Sequence, residues 1–573
     1  MSEVRTATPG RSASLRRIAP VVIVYLLATY FTDAYYMADT VDYVSSVTAR
    51  ARGDYYYFWE FGHLLWRPLG WLCFKATTLL SAPAGEAETR VRVVWIMLAL
   101  NWLGGLVCVL CLYGLVRIVS KGREWVGVVV AIGFIFSHGF LNFAQTGSSY
   151  VPGLAMLLLG LWILARACER EDDSWRTAAL AGASLAAAVC FWFLYVWAIP
   201  AALLLPLILF PAGEKRKRLA LRTTVVCVLV GLLLYVAVLL RLNIRSLAGL
   251  RAWMAMTSDG NNTRGLLRAV FGLSRSFINM GNDGILFKRF LLHDPLNPVS
   301  ALDLFRLSLW KVGFFYLFLA AIIYGLLRSA QGRRVGLLLA AGAIPMLAFA
   351  VLFDGGAVER YLPLYPLIFL SLGIVLADAS LPRWTRALAL AFAAVASLVS
   401  IGVMAKPVLS RQQETVAARV RDLPAQLKPR SLVLTANWLD TLINFNRSFP
   451  LHPLNREGGL IVNALVSPGT EQSVNWRREF ARSALKAWRE GGDVWVSKRV
   501  FAARPQPDWN WTEGDDQNVA WGDFPAFFVK FRVGQQVGGD DGFASLVPTM
   551  EAREFLEQLA SGGDKAAARE GQG

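Results

Sequence analysis

The sequence predicts an α-helical polytopic membrane protein with about eleven transmembrane helices and a small α/β region after them. Three observations carry that reading. Of 573 residues 55% are hydrophobic and only 17% charged, with a mean hydropathy of +0.44, too apolar for a soluble multidomain chain. Apolar runs of roughly 18 residues recur, the length that crosses about 30 Å of hydrocarbon. The basic residues behind the net charge of +17 gather in short loops between those runs, as cytoplasmic loops do, so the charge argues for a membrane and against nucleic acid as a partner.

Taken in order, the chain opens with a cytoplasmic segment, 1–17, carrying Arg5, Arg11, Arg16 and Arg17, and then the apolar run Ile18–Phe31. No small-residue cleavage site follows, so the run reads as a signal anchor rather than a removed signal peptide. Further spans fall at about 91–116, 124–141, 151–167, 177–192, 194–210, 221–241, 306–328, 335–353, 361–379 and 385–405. With the N-terminus in the cytoplasm, the inside loops contain RIVSKGRE, RACEREDDSWR, GEKRKR, RSAQGRR and LPRWTR, and every one is basic. That regularity requires Leu64–Leu80 not to span; Arg67, Pro68, Gly70 and Lys75 interrupt it, as in a juxtamembrane helix on the outer side.

The expected organisation is a transmembrane catalytic domain over 18–405, with a first outer loop at 37–90 and a second at 242–305. An extracytoplasmic α/β domain over 406–559 and a disordered tail over 560–573 follow. SLVLT (431–435), IVNALV (461–466) and DVWVS (493–497) have strand character, and SVNWRREFARSALKAWRE (473–490) has a helical period. Its many tryptophans are expected to dock this domain on the membrane core. The six cysteines, Cys73, Cys108, Cys111, Cys168, Cys190 and Cys227, lie in or beside apolar segments without zinc or redox spacing. They read as packing thiols.

The most informative segment is TDAYYMADTVDYVSSV (32–47). Asp39 and Asp42 are three apart, so a helix puts both carboxylates on one face, in a setting of Tyr35, Tyr36, Met37 and Tyr43. Partial desolvation there makes a carboxylate a usable general base, although by spacing alone a solvated cap is the commoner use of such a pair.

Position changes that weight. ADTVDYV (38–44), just outside the first span, resembles the acidic motif of the type C (GT-C) glycosyltransferase superfamily. GHLLWRPLGW (62–71) is similar to the His-x-x-x-x-Pro-Leu segment that closes the same loop in bacterial members. ERYLPLYPLIFLSLG (359–373) is similar to the Arg-Tyr-x-x-Pro-x-x-Pro entrance to a late helix in this superfamily, including relatives of the lipid A aminoarabinose transferase. The chain as a whole resembles the superfamily's bacterial polyprenyl-phosphate-sugar-dependent members, aminoarabinose and protein O-mannosyl transferases among them. One segment departs from the pattern: CFWFLYVW (190–197) has no charge where many relatives carry a polar contact.

The resemblance implies a membrane glycosyltransferase, inverting, that moves a sugar from a polyprenyl-phosphate donor to an acceptor outside the cytoplasm. Asp39 is then the base, and Asp42 orients it, binds acceptor or shares a divalent cation, Mg²⁺ or Mn²⁺. Arg360, with Tyr361, His63 and Arg67, is the candidate set for the donor phosphate; snorkelling is the ordinary alternative for an arginine at a helix end. Glu60 shares a helical face with His63 and Arg67. Glu60, His138, Arg241 and Lys288 are candidate substrate contacts, and no zinc site is expected from the histidines. The competing classes are a transporter or flippase, which needs polar residues midway along several helices where 91–116, 221–238 and 385–405 have almost none, and a glycan ligase or polymerase. Sugar and acceptor are not encoded by any local motif.

Overall fold

The protein was analysed as a computed structural model that describes residues 11–35, 39–51, 58–210, 213–257, 264–280, 285–408, 427–428, 430–437, 461–466, 475–505, 519–539 and 542–561. Tyr36 and Met37 beside the acidic pair, and 562–573 of the expected tail, lie outside them.

The membrane part begins with α1 (Arg11–Phe31), the shorter helices α2 (Thr40–Ala51) and α3 (Trp66–Thr78), and the long α4 (Glu86–Val119). It continues through α5 (Glu124–Ile135), α6 (His138–Phe143), α7 (Tyr150–Arg170), α8 (Trp175–Phe191), α9 (Ile199–Leu209) and α10 (Glu214–Arg241). The segment between α10 and the next long helix carries α11 (Leu247–Ala255), α12 (Leu266–Phe277), α13 (Ile285–Leu291) and α14 (Ala301–Leu304). Then come α15 (Trp310–Arg328), α16 (Ala330–Leu352), α17 (Tyr365–Ala377) and α18 (Arg383–Met404). Among the described residues seven helices are long and apolar enough to cross a membrane, and four shorter apolar helices, Arg17–Phe31, Glu124–Ile135, Trp175–Phe191 and Phe193–Leu209, correspond to four more expected spans. The 13-residue α3 is not among them; at about 1.5 Å per residue it is too short to cross. It packs instead between α2 and α4.

Several helices break at one level, and each break has a local cause. After α5 the chain turns extended at Ser137, whose hydroxyl returns to the Phe134 carbonyl at 2.6 Å. After α8 it turns extended at Trp192 (φ −152°, ψ 114°) and resumes as a 3-10 turn, Phe193–Ala198. Prolines shape the third break, the 3-10 turn Glu359–Leu364 before α17, where Pro363 and Pro366 withhold backbone donors. A third 3-10 turn, Phe61–His63, packs against the one after α8, which packs in turn against Glu359–Leu364. Irregular backbone is tolerated at membrane depth only where protein buries it, so these ends converge rather than face lipid. The C-terminal end of α1 is strapped to α18 by the Thr32–Ala405 bridge and by Asp33 N–H donating to Met404 at 3.0 Å.

Beyond the membrane part lie β1 (Leu432–Asn437), β2 (Ile461–Val466), α19 (Trp476–Arg489), β3 (Val494–Ser497), α20 (Asp523–Phe528), β4 (Val533–Val537), β5 (Phe543–Leu546) and α21 (Met550–Ala560). The strands form one sheet in the order β2-β1-β3-β5-β4, with β1 parallel to β2 and β3 and β5 antiparallel to β3 and β4. Of the tryptophans expected to dock this region, Trp438, Trp509 and Trp511 lie outside the described residues. Trp476, Trp488 and Trp521 pack with Phe480, Phe524 and Phe528 in the sheet's own helical layer, because that small core needs their area. Among the described residues, the segment 285–305 meets this region: Leu296 packs on this core and the Asn297 amide donates to the Pro505 carbonyl at 3.3 Å.

Candidate active site

Where the broken ends converge, the turn between α6 and α7 is the hub. Its backbone is fixed from three sides. Gly147 N–H donates to the Thr40 hydroxyl at 2.9 Å, the Trp66 indole donates to the Gly147 carbonyl at 2.9 Å, and the Asn101 amide donates to the Ser148 carbonyl at 2.5 Å. A Cβ on Gly147 would stand 2.7 Å from the Thr40 methyl, so glycine lets α2 approach this turn. This seats the start of α2, and hence Asp39, beside the first residue of α7.

Asp39 is half-buried immediately before α2. Its Oδ2 accepts from the phenol of Tyr150 and, at 3.3 Å, from that of Tyr43 one helical turn on. The Tyr43 ring is itself covered. The Arg67 guanidinium lies over it at 4.6 Å and the His63 ring meets it edge-on at 5.3 Å. Arg67 pairs with Glu60, the two side chains being 6% and 14% exposed. The Arg67 Nε is buried without a hydrogen-bond partner among the described residues. Glu60, His63 and Arg67 therefore do meet, but through a 3-10 turn leading into α3 rather than on one helical face.

His63 lies in the same group. It is 8% exposed, its Nδ1 lies 2.6 Å from the Ser149 hydroxyl, and burial first, then the nearby Arg67 charge, pushes its pKa down to about 3. This favours the neutral ring, which can meet a phosphate by hydrogen bonding rather than by charge; its contact holds Ser149, next to Tyr150. Tyr361 is fully buried and directs its hydroxyl to the carbonyls of Ala269 and Gly355, both at 2.8 Å, and so latches α12 to the loop before Glu359.

Arg360 comes to the same group from the other side. Its Nε donates to Asp354 at 2.8 Å and its guanidinium lies 5.9 Å from the centre of the Trp192 ring. Trp192 packs on Tyr150 at 4.6 Å, so an aromatic pair bridges the carboxylate to this cation. Asp39, Arg67 and Arg360 all lie close enough to act on the ionisation of His63. The apolar segment that departs from the motif pattern thus supplies an aromatic wall instead of a charge.

The other candidates scatter. Asp42 is exposed in the first turn of α2. His138 is buried in a second polar group, 3.3 Å from the Asn279 amide and edge-on to Tyr35 at 6.1 Å, near Arg275 and Lys311. Arg241 is exposed at the end of α10, and Lys288 is half-buried on α13. Sequence reasoning missed Tyr150, Trp192, Ser149 and Asp354. Nothing local marks them, because each gains its role from a partner distant in sequence. Among the described residues no three His, Cys, Asp or Glu side chains gather as a metal site.

No protein-family model and no curated protein matches this sequence. Solved structures do. ArnT from Cupriavidus metallidurans bound to undecaprenyl phosphate superposes with a TM-score of 0.50 at 13% identity, covering 95% of this chain and 99% of that one. Its apo state gives 0.50 at 12% identity over 94% and 98%. The Archaeoglobus fulgidus oligosaccharyltransferase in complex with Zn and sulfate reaches 0.48 at 14% identity over 94% and 76%, too loose to argue from. At such identities the likeness speaks of architecture alone: this chain shares the fold of the two ArnT structures.

Proposed function

We propose that the protein is a membrane glycosyltransferase that moves a sugar from a polyprenyl-phosphate carrier to an acceptor hydroxyl on the outer face, with inversion. The observation that carries this reading is the single group formed by the half-buried Asp39 carboxylate, the two phenols on its Oδ2, and the guanidinium groups of Arg67 and Arg360. The ArnT structure of the same fold was solved bound to undecaprenyl phosphate.

In the proposed step the acceptor O–H gives its proton to Asp39 as its oxygen bonds to the anomeric carbon. The bond from that carbon to the phosphate oxygen breaks, and the electron pair leaves with the lipid phosphate. Positioned cations lower the cost of that departing charge. Arg360 and Arg67 are each held by a carboxylate, Asp354 and Glu60, which fixes the guanidinium before substrate arrives. A guanidinium has five N–H donors, so this pairing leaves others for an anion. Asp39 and Asp42 are the residues that would hold a divalent cation, with water filling most of its shell; no step above requires one. The reading includes eleven spans with the N-terminus inside and the sheet domain outside.

Asp39→Asn tests it. The amide keeps size and hydrogen bonding but accepts no proton, so transfer falls by about 10²–10⁴-fold while membrane insertion and expression stay normal. Envelope glycans compared by mass spectrometry between cells with the wild-type and variant genes give the readout and name the sugar. Full activity in Asp39→Asn would remove the assignment.

A further inference from the structure

We infer that Tyr150 is a positioning residue for Asp39, fixing the carboxylate so that Oδ1 and not Oδ2 receives the acceptor's proton. This rests on the reading above and adds to it which oxygen acts and what holds it.

The hydrogen bonds to the Asp39 side chain fall on one atom. Oδ2 accepts from both phenols, whereas Oδ1 receives no hydrogen bond among the described residues. A carboxylate oxygen has two lone pairs, and two donors occupy both. The proton from the acceptor then goes to Oδ1, as the acceptor oxygen bonds to the sugar carbon and the phosphate leaves with the electron pair of the broken C–O bond.

Tyr150 is built for holding rather than for chemistry. It is the first residue of α7, and its carbonyl accepts from the Tyr195 hydroxyl at 2.7 Å, so its main chain is anchored. Its ring is 4% exposed, packed edge-on to Phe143 at 5.0 Å and against Trp192 at 4.6 Å. A phenol so confined offers its proton in one direction. Asp39 itself precedes a short helix and is half-exposed, and among the described residues these two phenols are the donors that hold its side chain. Tyr43 makes the longer contact of the two, and burial, with the charges of Asp39 and Glu60, raises its pKa, which keeps it protonated and donating. A misplacement of about 1 Å costs an active site about 10²-fold, so the donor anchored on both main chain and ring, Tyr150, is the one whose loss shows most.

The experiment uses the full chain in lipid nanodiscs and a panel of undecaprenyl-phosphate monosaccharides. Release of undecaprenyl phosphate is measured on the sugar that the wild type consumes. Tyr150→Phe keeps the ring and its packing and removes only the donor. Its kcat is expected to fall by about 30–100-fold, with donor KM within about threefold and undecaprenyl phosphate affinity unchanged. Tyr43→Phe is expected to lose about three- to tenfold. Placing 3-fluorotyrosine at 150, which restores a donor of the same shape, is expected to return kcat to within about threefold of wild type.

A kcat for Tyr150→Phe within about twofold of wild type, with Asp39→Asn dead, overturns the positioning role and leaves the base intact. Equal losses in kcat and undecaprenyl phosphate affinity overturn it too, since they mark a collapsed site. Full activity of Asp39→Asn strikes the function itself, whatever Tyr150→Phe does.

Discussion

At the scale of single residues, the site is a small set of charges made tolerable by burial among aromatic rings. Arg67 is the clearest case. Almost wholly inside, it is matched by one carboxylate and one ring face, an arrangement in which removing either partner leaves an uncompensated charge. His63 takes the other route and gives up its charge. Its pKa falls from the ordinary 6.5 to about 3, so between those values the unfolded chain binds a proton that the folded one does not. Stability from this group is therefore complete above about pH 6.5 and is lost as pH falls toward 3, at about 1.4 kcal/mol per unit. At pH 5 the loss is about 2 kcal/mol. His63→Gln keeps a hydrogen-bonding side chain and cannot titrate. Its melting temperature should drop less than the wild type's between pH 7.5 and pH 5; equal drops would mean that His63 is not held neutral.

At the scale of elements, what matters is how broken helix ends meet. α12 and the loop before Glu359 touch backbone to backbone. A Cβ on Gly272 would lie 1.9 Å from the Gly355 carbonyl oxygen, and one on Gly355 would lie 2.6 Å from Ala269 N. Both neighbours are main chain, so neither can turn aside. Gly272→Ala is expected to cost about 1–3 kcal/mol through overpacking. It should also lower transfer, because the displaced loop carries Asp354, the partner of Arg360. Gly313→Ala is the control: its Cβ would meet nothing within 4 Å, so melting temperature and activity should stay near wild type. A harmless Gly272→Ala would show that the loop can move without disturbing the cation.

At the scale of the whole molecule, the sheet domain touches the segment 285–305 through a short, well-built turn. Arg289 and Asp294 form an ion pair at 3.5 Å, with 3% and 0% of their side chains exposed, and Asp294 Oδ1 accepts the backbone N–H of Leu296 at 2.9 Å. That carboxylate thus presents Leu296 to the domain core and Asn297 to Pro505. Leu296→Ala removes the apolar plug and leaves the turn. Limited proteolysis of the variant in nanodiscs should release the region after α18 faster while the membrane part stays intact. Unchanged cleavage would mean that other surfaces hold the two together.

The sequence by itself determined the elements, because each is written locally. Apolar runs of sufficient length give helices such as Glu214–Arg241 and Arg383–Met404, and the interruptions at Arg67 and Pro68 keep α3 short. The β-branched and aromatic alternation of 432–437 and 494–497 gives strands. It also singled out Asp39, Glu60, His63, Arg67 and Arg360, which lie in three separate segments and meet in one group. Only the tertiary structure decided what each of them does there. Whether a histidine is charged depends on how deeply it is buried and on which cation lies nearby, and His63 took both conditions from other elements. Whether a tyrosine faces a carboxylate or two carbonyls depends on the packing of its helix, and that separated Tyr150 from Tyr361. Helix and strand follow from interactions between residues near in sequence, while ionisation and hydrogen-bond partners follow from neighbours that the chain brings together only when folded.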